Sequence, residues 1–176
     1  MNVIALYRGS RGKGKTLTMV KDSLKFYQRG FRVLTNLTSL KFGEKVDSDY
    51  ILSLSRKSEL FNCVLVIDEI ELFFDSREFS KKENKEFSKF LQQIRKRNVN
   101  ILCTCQYINL IDLRIRQQLD VIVYPHHDSR YNSCGAVYID LTTLEDDFRQ
   151  VDPRMSLVVY NKLPVFNLYD TNEMLK

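Results

Sequence analysis

The sequence predicts a three-layer α/β fold with a mostly parallel central sheet and antiparallel strands at its C-terminal edge. Two observations carry this. Apolar runs alternate with helix-period segments through most of the chain, and the last part changes to β-rich runs. Parallel strands need crossover helices that cover both faces of a sheet, so the first pattern builds strands buried on both sides, whereas closely linked strands pair antiparallel. At 176 residues the chain is long enough to bury its own core, and residues 1–176 read as one domain.

The elements follow in order. "NVIALY", Asn2 to Tyr7, is an apolar run stopped by Gly9, as in a fully buried strand. Leu17, Val20, Leu24 and Tyr27 then recur at helical spacing over Thr16 to Gln28, and Gly30 is placed as the stop. "FRVLTNL", Phe31 to Leu37, reads as a second strand, and residues 38–62 read as a loop with one short helix. "CVLVIDE", Cys63 to Glu69, is a third strand with two carboxylates at its end. Ser80 to Arg97 places Phe87, Phe90, Leu91 and Ile94 on one face and charges on the other, an amphipathic helix. "VNILCTCQ", Val99 to Gln106, is a fourth strand ending in an amide. Ile111 to Leu119 reads as helical and Asp120 to Pro125 as a fifth strand. "GAVYIDL", "SLVVYNK" and "PVFNLY" predict antiparallel strands with short connections.

Composition excludes several classes. With 44% hydrophobic and 28% charged residues and three prolines, the chain is not of the disordered type. Its four cysteines form no Cys-x-x-Cys pair, so buried thiols in a reducing compartment are expected and a metal cluster is not. No apolar run approaches the ~20 residues of a membrane-spanning helix. The start "MNVIALYRG" lacks a signal peptide's charged opening and long apolar stretch. A cytoplasmic protein with no transmembrane segment of its own is the expectation. The net charge of +5 is concentrated between Arg77 and Arg97, where eight basic residues face three acidic ones. Such a block is a solvated helix face or a polyanion-binding one.

The chemistry is concentrated near the start. Gly9-Ser10-Arg11-Gly12-Lys13-Gly14-Lys15-Thr16 fits G-x-x-x-x-G-K-[ST] at every fixed position, between a strand and a helix. Glycines let consecutive backbone N–H groups point at phosphate oxygens, and the helix N-terminus adds partial positive charge. ATP with Mg²⁺ is the expected ligand, Lys15 bridging the β- and γ-phosphates and the Thr16 hydroxyl ligating the metal. Asp68, on a strand expected beside the P-loop strand, is the second metal-side residue. Glu69 directly after it is the candidate base for the attacking water, and Glu71 reads as surface. Gln106 ends its strand on the same carboxyl edge, where its amide can contact the γ-phosphate or the water.

"GSRGKGKT", "VLVIDE" and a strand ending in glutamine after the arginine-rich "IRKRNVNI" resemble the HerA/FtsK superfamily of DNA-pumping ATPases. Within it the chain is similar to the Zot-like assembly ATPases of filamentous phages and to the genome-packaging ATPases of membrane-containing viruses. "NLYDTNE" at Asn167 to Glu173 is similar to a tail of Zot-like proteins. The resemblance implies a RecA-like (ASCE) P-loop NTPase core in a homo-oligomeric ring, commonly a hexamer, that moves double-stranded DNA on ATP hydrolysis. It also maps an arginine finger onto Arg95 or Arg97. A strand of about seven residues spans roughly 23 Å, so these arginines would serve a neighbour's site, with Arg114 and Arg116 as alternatives. Zot-like phage proteins continue into a transmembrane segment whereas this chain ends at Lys176, which favours a packaging motor in the host cytoplasm with capsid or virion-membrane partners. The other expectations are a phage assembly or secretion ATPase working at a membrane through a partner, and a nucleotide-binding switch without sustained turnover. Asp68-Glu69 and Gln106 argue against the switch.

Overall fold

The structure, a computed structural model, describes residues 2–56, 60–78, 82–142 and 154–170. In chain order the elements are β1 (Ile4–Arg8), α1 (Lys15–Gln28), β2 (Arg32–Thr35), β3 (Glu44–Lys45), α2 (Ser48–Leu52), β4 (Cys63–Ile67), α3 (Lys82–Arg97), β5 (Val99–Cys105), α4 (Leu113–Arg116), β6 (Val121–His127), β7 (Ser133–Asp140), β8 (Arg154–Asn161) and α5 (Leu163–Phe166). The strands form one sheet in the order β3-β2-β4-β5-β1-β6-β7-β8. The pairs from β3 to β6 are parallel, and β6–β7 and β7–β8 are antiparallel.

Alternation along each strand feeds two cores. Ile4 and Leu6 of β1 point into one, with Leu65, Ile67, Ile101 and Cys103, and α3 covers it with Phe87, Phe90, Leu91 and Ile94. Phe74 and Phe87 stack there with centroids 3.9 Å apart. Ala5 and Tyr7 point into the other, with Val64, Val66 and Leu102, beneath Leu17, Met19 and Val20 of α1. Every residue of β4 and β5 is buried, which is why both read as near-continuous apolar runs, broken in β5 only by Asn100 and Thr104.

α1 is also tied to the sheet by a buried carboxylate. Asp22 accepts from Tyr7 Oη at 2.9 Å and from Tyr138 Oη at 2.6 Å, and it pairs with Lys21 and Lys25 at 2.9 and 3.1 Å. These partners hold its carboxyl below the usual range although burial opposes them.

Five expectations are corrected. β4 does not lie beside β1, because β5 is inserted between them and pairs with both. Pro164 to Tyr169 is not a strand: Pro164 stands in the first turn of α5, where its fixed φ and missing N–H suit a helix start. Ile111 to Leu119 holds only the single turn of α4, because Ile111 is drawn into a bridge with Asp75 and Asp112 caps the turn by accepting from Arg114 N. Residues 38–62 contain, besides the helix α2, the short strand β3 that extends the sheet. The connection between β7 and β8 is not short, and most of it, like Ser80 and Lys81 before α3, lies outside the described residues. The four cysteines are free and buried. Among the described residues, no helix is long and apolar enough to cross a membrane.

Candidate functional site

The loop from Gly9 to Thr16 leaves the carboxyl end of β1, which lies between β5 and β6 in the middle of the eight-stranded sheet. Gly12 and Gly14 have φ of 75° and 84°, left-handed values that glycine adopts without strain. At Gly14 a Cβ would also come within 3.0 Å of His127 Cβ, so the loop lies directly on β6. Ser10, Arg11 and Lys13 expose their side chains and contribute backbone to the loop. Lys15 is only 9% exposed and its ammonium reaches back to Ser10 O at 3.3 Å, across the loop it would close on a phosphate.

Asp68 is the focus of the site. Its Oδ1 accepts from Thr16 Oγ1 at 3.0 Å and from Thr104 Oγ1 at 2.6 Å. Its backbone is clamped by Asn36, which accepts from Asp68 N at 2.8 Å and donates to Asp68 O at 3.0 Å. Glu69 N donates to Thr104 Oγ1 at 2.8 Å, and Glu69 itself sits at φ 53°, a left-handed conformation that costs a non-glycine residue about 1–3 kcal/mol. The ends of β2, β4 and β5 and the start of α1 therefore converge on two carboxylates. Gln106 closes the arrangement, its Nε2 3.4 Å from Glu69 Oε1.

Glu71 is not the surface residue expected. Its Oε1 accepts from Gln106 N at 3.0 Å, and its Oε2 is buried with no hydrogen-bond partner. Burial pushes the carboxyls of both Asp68 and Glu71 up from their ordinary values, with Glu69 adding like charge to each. Thr16 and Asp68 offer hard oxygens suited to Mg²⁺, and a buried carboxylate whose charge is disfavoured gains from a cation beside it. The residues present thus fit Mg²⁺ with a polyphosphate.

Asn36, Thr104 and Glu71 were missed by the sequence reading. The signal for Thr104 was one hydroxyl inside the apolar run "ILCTC", which has meaning only once β5 is known to lie between β4 and β1. Arg95 and Arg97 are not brought to this site. They end α3 at the start of β5, on the opposite edge of the sheet, where Arg95 pairs with Asp120 at 3.3 Å and Arg97 donates to Gln93 Oε1 at 3.1 Å. Arg114 is held by Asp112 at 2.6 Å, whereas Arg116 Nε is buried without a partner.

A family model described as zonular occludens toxin (Zot) matches residues 3–171. The chain belongs to the Zot family. In structure it is similar to the N-terminal domain of zonular occludens toxin from Neisseria meningitidis, with a TM-score of 0.70, 20% identity, and 97% of this chain and 100% of that one covered. It is also similar to the genome packaging NTPase B204 from Sulfolobus turreted icosahedral virus 2. In complex with sulfate, B204 matches with a TM-score of 0.64, 14% identity, and 89% of this chain and 95% of that one covered. In complex with ATPγS the values are 0.61, 11%, 89% and 96%. At these identities the Zot-family chain shares with them a fold, that of the P-loop ATPases. A sequence search of curated proteins gives no match.

Proposed function

We propose that the chain is a Mg²⁺-dependent ATPase of virus assembly, whose hydrolysis drives the movement of double-stranded DNA. The observation that carries this is the grip on Asp68 by Thr16, inside the phosphate loop, and by Thr104, next to Glu69. One carboxylate is thereby locked to the metal side while its neighbour is left to work on water.

The roles follow from the contacts. Backbone N–H groups from Gly9 to Thr16 hold the phosphates, and Lys15 exchanges the Ser10 carbonyl for phosphate oxygens. Thr16 and Asp68 would hold Mg²⁺, which would supply charge for the transferred phosphoryl group. Glu69 takes the proton of the attacking water, and the Gln106 amide orients the Glu69 carboxylate. A nucleotide switch needs no such base, and the Glu69–Gln106 contact speaks against that reading.

B204 is named as a genome packaging NTPase, which supports translocation into a capsid by a ring of subunits. Family membership favours a second reading, a filamentous-phage assembly or secretion ATPase acting at a membrane through a partner. Replacement of Glu69 by Gln tests the shared mechanism: ATP binding is expected to persist while turnover falls at least ~10²-fold, the scale of general-base removal. Normal turnover would transfer the role to Glu71. Stimulation of wild-type turnover by duplex DNA supports the translocation step, and its absence refutes that step alone.

A further inference from the structure

A phosphate loop holds the part of a nucleotide common to all of them. The cavity over this loop, about 240 Å³, continues past Gly12, Gly14, Lys15 and Thr16 to a second end walled by His127, Phe166, Tyr169 and Asp170. That end is built by residues far away in sequence. α5 packs on α1, Leu168 O accepts from Lys41 N at 2.8 Å, and Asp170 N donates to Ser39 Oγ at 2.9 Å. Residues 163–170 therefore run as a strap from the end of β8, past α1, to the loop after β2. Phe166 and Tyr169 of the strap enter the cavity wall, and His127 at the end of β6 joins them, its ring edge-on to Phe166 with centroids 6.0 Å apart.

Lys162 gives this wall a defined polarity. It is a buried lysine, 5% exposed, and buried lysines are rare unless paired. Its ammonium donates to Asp128 O at 2.9 Å and lies 3.1 Å from His127 Nε2. With the lysine as donor, Nε2 accepts and Nδ1 carries the ring proton. Two aromatic rings beside an imidazole N–H donor form a place for a flat heterocycle with acceptor nitrogens. Because Gly14 lies against His127, that place is continuous with the phosphate loop.

We propose that His127, Phe166 and Tyr169 form the nucleobase subsite of the loop and that it takes a purine, a proposal that rests on the P-loop reading above. The rings supply stacking area and His127 Nδ1 donates to a ring nitrogen. The strap thereby couples the base to the chain's last described residues and to the loop after β2.

Equilibrium binding of Mg²⁺ with ATP, UTP or inorganic tripolyphosphate to the full chain separates the base subsite from the loop. The wild-type protein is expected to bind ATP at least tenfold more tightly than tripolyphosphate, and UTP more weakly than ATP. Phe166→Ala should lose roughly tenfold in ATP affinity, the scale of one base–aromatic stack, with tripolyphosphate affinity kept within about twofold. His127→Phe, which retains a ring and removes the donor, should narrow the gap between ATP and UTP. Phe166→Leu keeps apolar volume without a ring and replaces the alanine variant if that one does not fold. Equal wild-type affinity for ATP and tripolyphosphate overturns the proposal, as do unchanged ATP affinity in the variants or equal losses for both probes. Wild-type protein that binds neither probe overturns the P-loop reading, and this proposal with it.

Discussion

Asp68 carries opposing demands: two hydroxyls donate to one of its oxygens, yet burial disfavours its charge. Its folded pKa stands above its ordinary value of 3.8, so the folded protein takes up the proton more readily than the unfolded chain. Stability therefore falls as pH rises from about 4 through the folded value, and at pH 7 the ionised carboxylate is destabilising. Asp68→Asn, which keeps an acceptor for both hydroxyls, is expected to raise Tm at pH 7 without Mg²⁺ or nucleotide. The gain should vanish below about pH 4 in a melting series, and a lower Tm at pH 7 would contradict the assignment. Thr104→Val preserves shape, leaves Glu69 N without its acceptor and removes one of the two donors to Asp68 Oδ1. It should cost about 1–3 kcal/mol in urea unfolding and lower kcat more than it raises KM. Lys15→Ala removes a contact to Ser10 O from a side chain that is buried but lies outside both apolar cores, so loss of ATPase activity in a folded protein is expected; activity near wild type would sink the P-loop assignment.

Among the elements, α1 and α3 make different demands on the sheet. α1 presents the loop, and its position is held by Asp22 against Tyr7 of β1 and Tyr138 of β7. Asp22→Ala leaves Lys21, which is mostly buried, without its carboxylate, and a loss of about 3–5 kcal/mol is expected in denaturant unfolding. α3 buries its apolar face and exposes Lys82, Lys85 and Lys89, with Lys81 falling outside the described residues. If this face meets DNA, affinity should fall steeply with salt and depend little on sequence. Neutralising Lys81, Lys82, Lys85 and Lys89 together should flatten the salt slope by about 0.9 for each phosphate that these lysines neutralise. An unchanged slope in anisotropy titrations would leave these lysines a solvating role only.

At the scale of the whole molecule, the parallel strands send the phosphate loop, Asp68, Glu69 and Gln106 to one edge of the sheet and Arg95 and Arg97 to the other. The length of β5, seven residues, separates the arginines from their own loop. An arginine acting from there must act on a neighbouring subunit, as in a ring. Arg95→Ala or Arg97→Ala protein, inactive alone, is expected to regain partial ATPase activity when mixed with Glu69→Gln protein, each supplying what the other lacks. Complementation by Arg114 or Arg116 variants in their place would move the finger to that segment, where Arg116 Nε is buried without a partner.

The loop, the carboxylate pair and the amide were legible in the sequence because each is a local pattern: fixed glycine spacing, an apolar run with a polar end, a helical period. The helix expected at Ile111 to Leu119 and the strand expected at Pro164 to Tyr169 failed for a related reason. Short apolar runs fit both periods, and a cap at Asp112 and a proline at the start of α5 decided between them. What only the tertiary structure decided is which distant segments meet. The insertion of β5 between β1 and β4 brings Thr104 to Asp68, and the end of β2 brings Asn36. The strap from α5 brings Phe166 and Tyr169 to a loop more than a hundred residues earlier. Strand order and register are set by burial summed over the whole sheet, and no local spacing in the sequence encodes that sum.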